Sequence, residues 1–472
     1  MKKASCLLAA LAAFGLASCG ESGSTTTDGA SCYPEAARRW ISEPSANEHA
    51  AGDLEGPSSI YLDGSASMAG FIRGASDDER PLADLVGILP SFGPVAKGKV
   101  SILRFDRRIT ELKPAEAARM QTADGYLCPP GKPDCDAQES HVDQALTKIA
   151  GEDARSLSVV VSDLWLANSK VMTTGGVALS KPLADILASG RSIAIYGVES
   201  PYAGRVSDLP SGARNVVASR RHLFLVVAGP LRRLEAFHEA MRRAPSASIA
   251  RALTNGQAHR SLFTLDPVIA GTAGTQRFQA EPKSLLTKAN FLTVRSGVRV
   301  PQFHLEKGKA LRAGSTDIPG AAWQGVAEAD MAQGAVWKGA SRGSTRLYRQ
   351  TGNSCSPGGG DWRAEGTLRG GWSDDAKAAF KLDPTELATL PTGRYLLVGD
   401  VRRTSLESPN PATQWMRDWS FGAADEAAAI KRPVMPTLNL AETARLLEAA
   451  LAQSAEAKPM NIGGFTVAVD IE

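Results

Sequence analysis

Apolar residues fall along this chain in two different rhythms. Between residues 57 and 245, short runs rich in β-branched and aromatic side chains alternate with segments whose apolar positions recur every three or four residues. The runs are SSIYLD (58–63), KVSILRF (99–105), RRITEL (107–112), SLSVVVSD (156–163), RSIAIYGVE (191–199) and HLFLVVAG (222–229). Most lack polar alternation, which predicts strands buried on both faces of a sheet. Little more than Asp106 separates the second and third, so these two predict an antiparallel edge hairpin.

Helical stripes lie between the strands. They comprise Leu82, Leu85, Val86 and Leu89; Val142, Ala145, Leu146 and Ile149; Leu179, Leu183, Ile186 and Leu187; and Leu231, Leu234, Phe237 and Met241. Strand–helix alternation of this kind predicts an α/β domain over 57–245, a doubly wound and mostly parallel sheet of Rossmann-like character. From about 260 the stripes become rare, and strand candidates such as GRYLLVGDV (393–401) stand between Gly- and Pro-containing turns. This predicts a β-rich, sandwich-like C-terminal domain over 260–472. Its late helix carries Leu440, Leu447 and Leu451 behind a capping box formed by Asn439 and Glu442, and FTVAVDI (465–471) reads as a last strand.

The first residues change the picture from a plain globular chain to an exported one. Lys2 and Lys3 precede a short apolar stretch, Ala4 to Ser18, which suits a secretory h-region and is short for a bilayer span. Its end, Leu16-Ala17-Ser18-Cys19, resembles a bacterial lipobox, in which the cysteine is acylated and becomes the mature N-terminus. That resemblance implies a signal peptide over 1–18, a lipid on Cys19 and membrane attachment through it; an ordinary signal peptide is the alternative. The polar stretch ESGSTTTDGAS (21–31) predicts a flexible tether, placed with the lipidated end in 19–56. Gly20 is not the aspartate that retains many such lipoproteins at the inner membrane, so the expected location is the bacterial cell envelope, at the outer membrane in a Gram-negative cell.

Charge adds little: loss of Lys2 and Lys3 takes the formal charge from +3 to +1, and no basic run calls for nucleic acid. Six cysteines are informative. Cys6 leaves with the signal and Cys19 takes the lipid, which leaves Cys32, Cys128, Cys135 and Cys355 for an oxidising compartment. Cys128 and Cys135 bracket the loop CPPGKPDC and form the expected pair; Cys32 and Cys355 pair by elimination. A zinc site is the rival reading, weakened by the absence of any CxxC spacing.

The candidate chemistry sits in YLDGSASMAGF, residues 61–71. Asp63, Ser65 and Ser67 follow the first predicted strand, Asp163 ends the VVVSD strand, and Ser140 opens the helix that begins ESHVDQAL. A doubly wound sheet gathers loops at the C-terminal ends of its strands, so these oxygens can reach one crevice. Two carboxylates and three hydroxyls make a hard donor set suited to Mg²⁺, Mn²⁺ or Ca²⁺. A turn in which these side chains merely bond backbone amides is the simpler alternative.

At these residues the chain resembles the von Willebrand factor type A domain with its metal-ion-dependent adhesion site. Asp63, Ser65 and Ser67 match the family's D-x-S-x-S, and Met68 and Gly70 match residues that often follow it in bacterial members. Ser140 falls where the family usually has threonine, and Asp163 at its second aspartate; Ser162-Asp163-Leu164 stands where many members have T-D-G. The resemblance implies an open metal position that accepts an Asp or Glu carboxylate from a protein partner, hence adhesion or envelope assembly and not catalysis. No P-loop, H-E-x-x-H or G-x-S-x-G pattern occurs. A metal-dependent hydrolase using the same open position, and a structural lipoprotein with a non-essential metal site, are the alternatives.

Overall fold

The computed structural model describes residues 32–38, 40–41, 54–127, 140–165, 177–206, 209–211, 216–244, 247–265, 287–293, 299–307, 316–318, 324–325, 334–352, 360–368, 370–373, 379–382 and 384–472. The predicted strands before residue 245 all form. They are β1 (Ser58–Asp63), β2 (Val100–Phe105), β3 (Ile109–Glu111), β4 (Leu157–Ser162), β5 (Ser192–Val206) and β6 (Val216–Gly229), joined by a seventh, β7 (Ala258–Phe263). Together they make one sheet in the order β3-β2-β1-β4-β6-β5-β7.

The sheet is mixed. β1 pairs in parallel with β2 and with β4, and the β2–β3 hairpin is antiparallel as predicted. The departure lies at β6, which runs antiparallel between β4 and β5, while β7 adds antiparallel to β5. Its cause is visible in the connection. A parallel neighbour needs a crossover of a dozen or more residues, but β5 and β6 extend towards each other until only residues 207–215 join them. They therefore close as a long hairpin, and β6 is the strand that lies against β4.

Helices cover both faces, which explains the continuous apolar runs. Ile60, Leu62, Val159 and Val161 pack with Leu82 and Leu85 of helix Pro81–Ile88 and with Leu234 and Phe237 of helix Leu231–Arg242. Tyr61, Val160 and Val226 face the other way, towards Leu146 and Ile149 of helix Val142–Ala150 and Leu183 and Leu187 of helix Val177–Ala188. Each fully buried aliphatic side chain of this kind contributes about 1.5–3 kcal/mol relative to exposure.

The predicted division at 245–260 does not separate two cores. β7 completes the first sheet, and the late helix Leu440–Ala457 packs its Leu447 and Leu451 into the same cluster as Leu183 and Leu187. Trp415 also returns to the first sheet, donating from Nε1 to Ser261 Oγ at 2.8 Å. The expected capping box is absent: Asn439 has a left-handed φ of 59° and makes no side-chain cap, and Ser420 Oγ instead accepts from the Ala441 amide at 2.9 Å.

A second sheet confirms the β-rich character of the remainder. Its strands run in the order 362–368, 341–350, 393–403, 460–471, 299–305, 287–293. One face carries Leu396, Val398 and Ala468, and these pack against Tyr33, Ala37, Trp40 and Ile41. So that face is covered by an N-terminal segment; a three-stranded sheet, in the order 316–318, 379–382, 370–373, also lies in this region. Cys32, Tyr33, Ala37, Trp40 and Ile41, placed in the tether by the sequence, belong to the packed body. Cys32 is buried there and disulfide-bonded, its partner lying outside the described residues.

Candidate metal centre

β1 ends at Asp63, and its carboxylate is fully buried. Oδ1 accepts from the Ser65 amide at 2.9 Å. Oδ2 accepts from Ser140 Oγ and Ser162 Oγ, each at 2.7 Å. The loop that follows turns tightly around Arg104, whose guanidinium donates to the Gly64 carbonyl at 3.1 Å and to the Gly125 carbonyl at 3.2 Å. A Cβ on Gly64 would come within 2.3 Å of Arg104 Nε, so only glycine allows this approach.

Ser67 immediately precedes helix Met68–Arg73 but makes no capping bond; its Oγ lies 3.0 Å from Ser65 Oγ. The helix rests on β5 through Gly70, where a Cβ would meet the Tyr202 ring at 2.3 Å. Of the expected ligands, Ser140 meets Asp63 through its hydroxyl and Ser65 through its amide, while the Ser65 and Ser67 hydroxyls meet each other. Ser140 precedes helix Val142–Ala150, which is what carries it to β1.

Asp163 follows β4, and its environment was not legible in the motif. Its Oδ1 accepts from the Trp165 amide at 3.2 Å. Its Oδ2 faces Arg221 Nη2 at 3.2 Å in an ion pair whose members are only 1% and 2% exposed. The guanidinium is enclosed by rings, 4.6 Å from the centroid of Trp165, 4.9 Å from Tyr202 and 5.9 Å from Phe71. The antiparallel course of β6 explains the meeting: Ser162 lies opposite Phe224, so Arg221, three residues earlier on β6, stands just beyond the end of β4. Between them, Leu164 holds a left-handed φ of 48°.

The electrostatics follow from this enclosure. Burial, and then the neighbouring Asp163, push the Asp63 carboxyl up to about 6, against the pull of the Ser162, Ser140 and Ser65 hydrogen bonds. Burial and the Asp63 charge likewise drive the Tyr126 hydroxyl far above its ordinary value. Tyr126 Oη and Trp165 Nε1 are buried with no hydrogen-bond partner among the described residues, and Asp163 Oδ2 has the Arg221 charge but no directed hydrogen bond. Buried polar atoms are rarely left so. Tyr126 Oη lies within the electrostatic reach of Asp63, and Asp163 Oδ2 within that of Arg221. No group of three or more His, Cys, Asp or Glu placed to hold a metal ion occurs among the described residues, so an ion here would depend on the hydroxyls.

Sequence reasoning therefore missed Ser162, Arg221, Tyr126 and Trp165. One signal was available for Arg221: two arginines open the apolar run of β6, where a buried strand has no use for an unpaired charge. Cys19, Cys128, Cys135 and Cys355 lie outside the described residues. No family model matches the chain, and no curated protein or solved structure matches it.

Proposed function

We propose that this chain is an envelope lipoprotein, anchored through Cys19, that binds a protein partner through a divalent cation held by Asp63, Ser65, Ser67, Ser140 and Asp163. The observation that carries the reading is that the hydroxyls of Ser140 and Ser162 converge on the buried Asp63 carboxylate, whose other oxygen takes the Ser65 amide, with the Ser65 and Ser67 hydroxyls in contact on the same loop. Only two carboxylates neutralise the ion, and neutral hydroxyls donate weakly, so the ion stays electrophilic. A carboxylate from an Asp or Glu of the partner is the natural ligand for such an ion. Mg²⁺, Mn²⁺ and Ca²⁺ all suit the donor set.

Hydrolysis would require a positioned base. The C-terminal residues that reach the Arg221 enclosure are apolar: Phe421 meets the Trp165 ring at 5.7 Å, and Met435 bridges Arg221 through the backbone. The structural alternative, an idle site, draws on the Asp163–Arg221 pair, which already neutralises one carboxylate.

Capture of partners from envelope extracts, with Mg²⁺ and with EDTA, separates these readings. For a partner so identified, EDTA and Asp63→Ala should abolish binding to the same extent and without additivity, with circular dichroism confirming the fold. A folded Asp63→Ala protein that binds at wild-type affinity would contradict the adhesion reading.

A further inference from the structure

We propose that Arg221 is the resident counter-charge of this site: it neutralises Asp163 when no divalent ion is bound and weakens the site for that ion. The inference rests on the metal-binding reading above and concerns what sets the affinity. Asp63 ends β1 and Asp163 follows β4, the adjacent parallel strand, so two buried carboxylates stand at one end of the sheet. Without a cation such a pair destabilises the fold. Arg221 supplies that cation from within the chain, at 3.2 Å from Asp163 Oδ2.

The guanidinium cannot readily leave. Phe71, Trp165 and Tyr202 enclose it, and Tyr202 is itself locked against Gly70. The Met435 amide bonds the neighbouring Arg220 carbonyl at 2.9 Å, which pins β6 beside Arg221. A divalent ion therefore arrives at a site that already holds a positive charge. Mutual repulsion lowers its affinity, and the low dielectric of the enclosure enlarges the effect. Once the ion is bound, two carboxylates face a guanidinium and a divalent cation, leaving one positive charge in excess. A single carboxylate from a partner balances it. Arg221 thus ties strong ion binding to the arrival of an acidic ligand.

Asp163 does not need Arg221 for its orientation, because Oδ1 is separately held by the Trp165 amide. Removing the guanidinium should therefore strengthen ion binding and not scatter the ligands. Lysine at this position keeps the charge, so it serves as the control, although it lacks the planar fork.

The test titrates Mn²⁺ calorimetrically into wild type, Arg221→Gln and Arg221→Lys, and records melting of each in EDTA and in Mn²⁺. Arg221→Gln should melt below wild type in EDTA, recover most of that gap in Mn²⁺, and bind Mn²⁺ at least tenfold more tightly, while Arg221→Lys stays near wild type. Recovery by the ion is the signature that a merely structural arginine would not give. If wild type binds Mn²⁺ and folded Arg221→Gln binds it equally or more weakly, the proposal fails while the metal site stands. If Arg221→Gln stays unfolded even in Mn²⁺, Arg221 is structural only and the proposal fails. If all three proteins fold and none binds Mn²⁺, the metal reading falls and the proposal with it.

Discussion

The indole of Trp40 donates a hydrogen bond of 2.7 Å to Asp400 Oδ1, joining the N-terminal segment to a strand 360 residues away. Both groups are buried, and Asp400 has further charge support from Arg402 at 3.6 Å and Arg346 at 3.8 Å. Trp40→Phe should lower stability by about 1.5–3 kcal/mol, the range for a hydrogen bond to a buried charge. Trp40→Ala, which also opens a cavity, should cost ~3–5 kcal/mol. Urea unfolding of the two variants checks both values; wild-type stability in Trp40→Ala would show that residues 32–41 contribute nothing to the fold.

Leu164 sets two effects against each other. Its left-handed φ of 48° costs ~1–2 kcal/mol for a residue with a Cβ. Its side chain, however, is buried in the cluster that contains Leu146 and Leu183, where loss of a leucine costs about 2.7–5 kcal/mol. Burial outweighs strain. Leu164→Gly should relieve the backbone strain yet lower stability by ~1–3 kcal/mol in denaturant titration, and a more stable Leu164→Gly protein would reverse the ranking.

His222 makes stability depend on acid. It stacks on Trp419 with ring centroids 3.9 Å apart, and burial, followed by the charges of Arg221, His259 and Arg220, pushes it down to about 3. Because the folded value lies below the ordinary 6.5, the neutral ring's contribution is complete above pH 6.5 and is lost as pH falls towards 3. His222→Phe retains a ring against Trp419 and removes the titration. Melting measured from neutral pH to pH 4 should show a shallower decline for this variant than for wild type. Identical slopes would mean that His222 is not held neutral.

Much of the sheet is legible in the apolar runs because β1 and β4 are buried on both faces, and only continuous hydrophobicity satisfies both. Strand direction is not encoded there. The lone hint of the β5–β6 hairpin is negative, the lack of a helical stripe between residues 199 and 222. The late helix shows the same limit: periodicity identifies the stripe of Leu447 and Leu451 but not Leu183 and Leu187 as its partners. Tyr33 and Trp40 were a warning within the supposed tether, since a solvated linker has little use for large aromatics. At the candidate site, the D-x-S-x-S spacing locates the oxygens because it is local. Arg221 is not local to Asp163; it arrives through the antiparallel register, which no motif records.

The central claim is that the oxygens around Asp63 hold a divalent cation. Anomalous diffraction from crystals grown with Mn²⁺, for wild type and Asp63→Ala, tests it most directly. The account predicts one wild-type peak among the oxygens of Asp63, Ser65, Ser67, Ser140 and Asp163, absent from a folded Asp63→Ala protein. A wild-type map with no peak there, while Arg221 remains on Asp163, would contradict it.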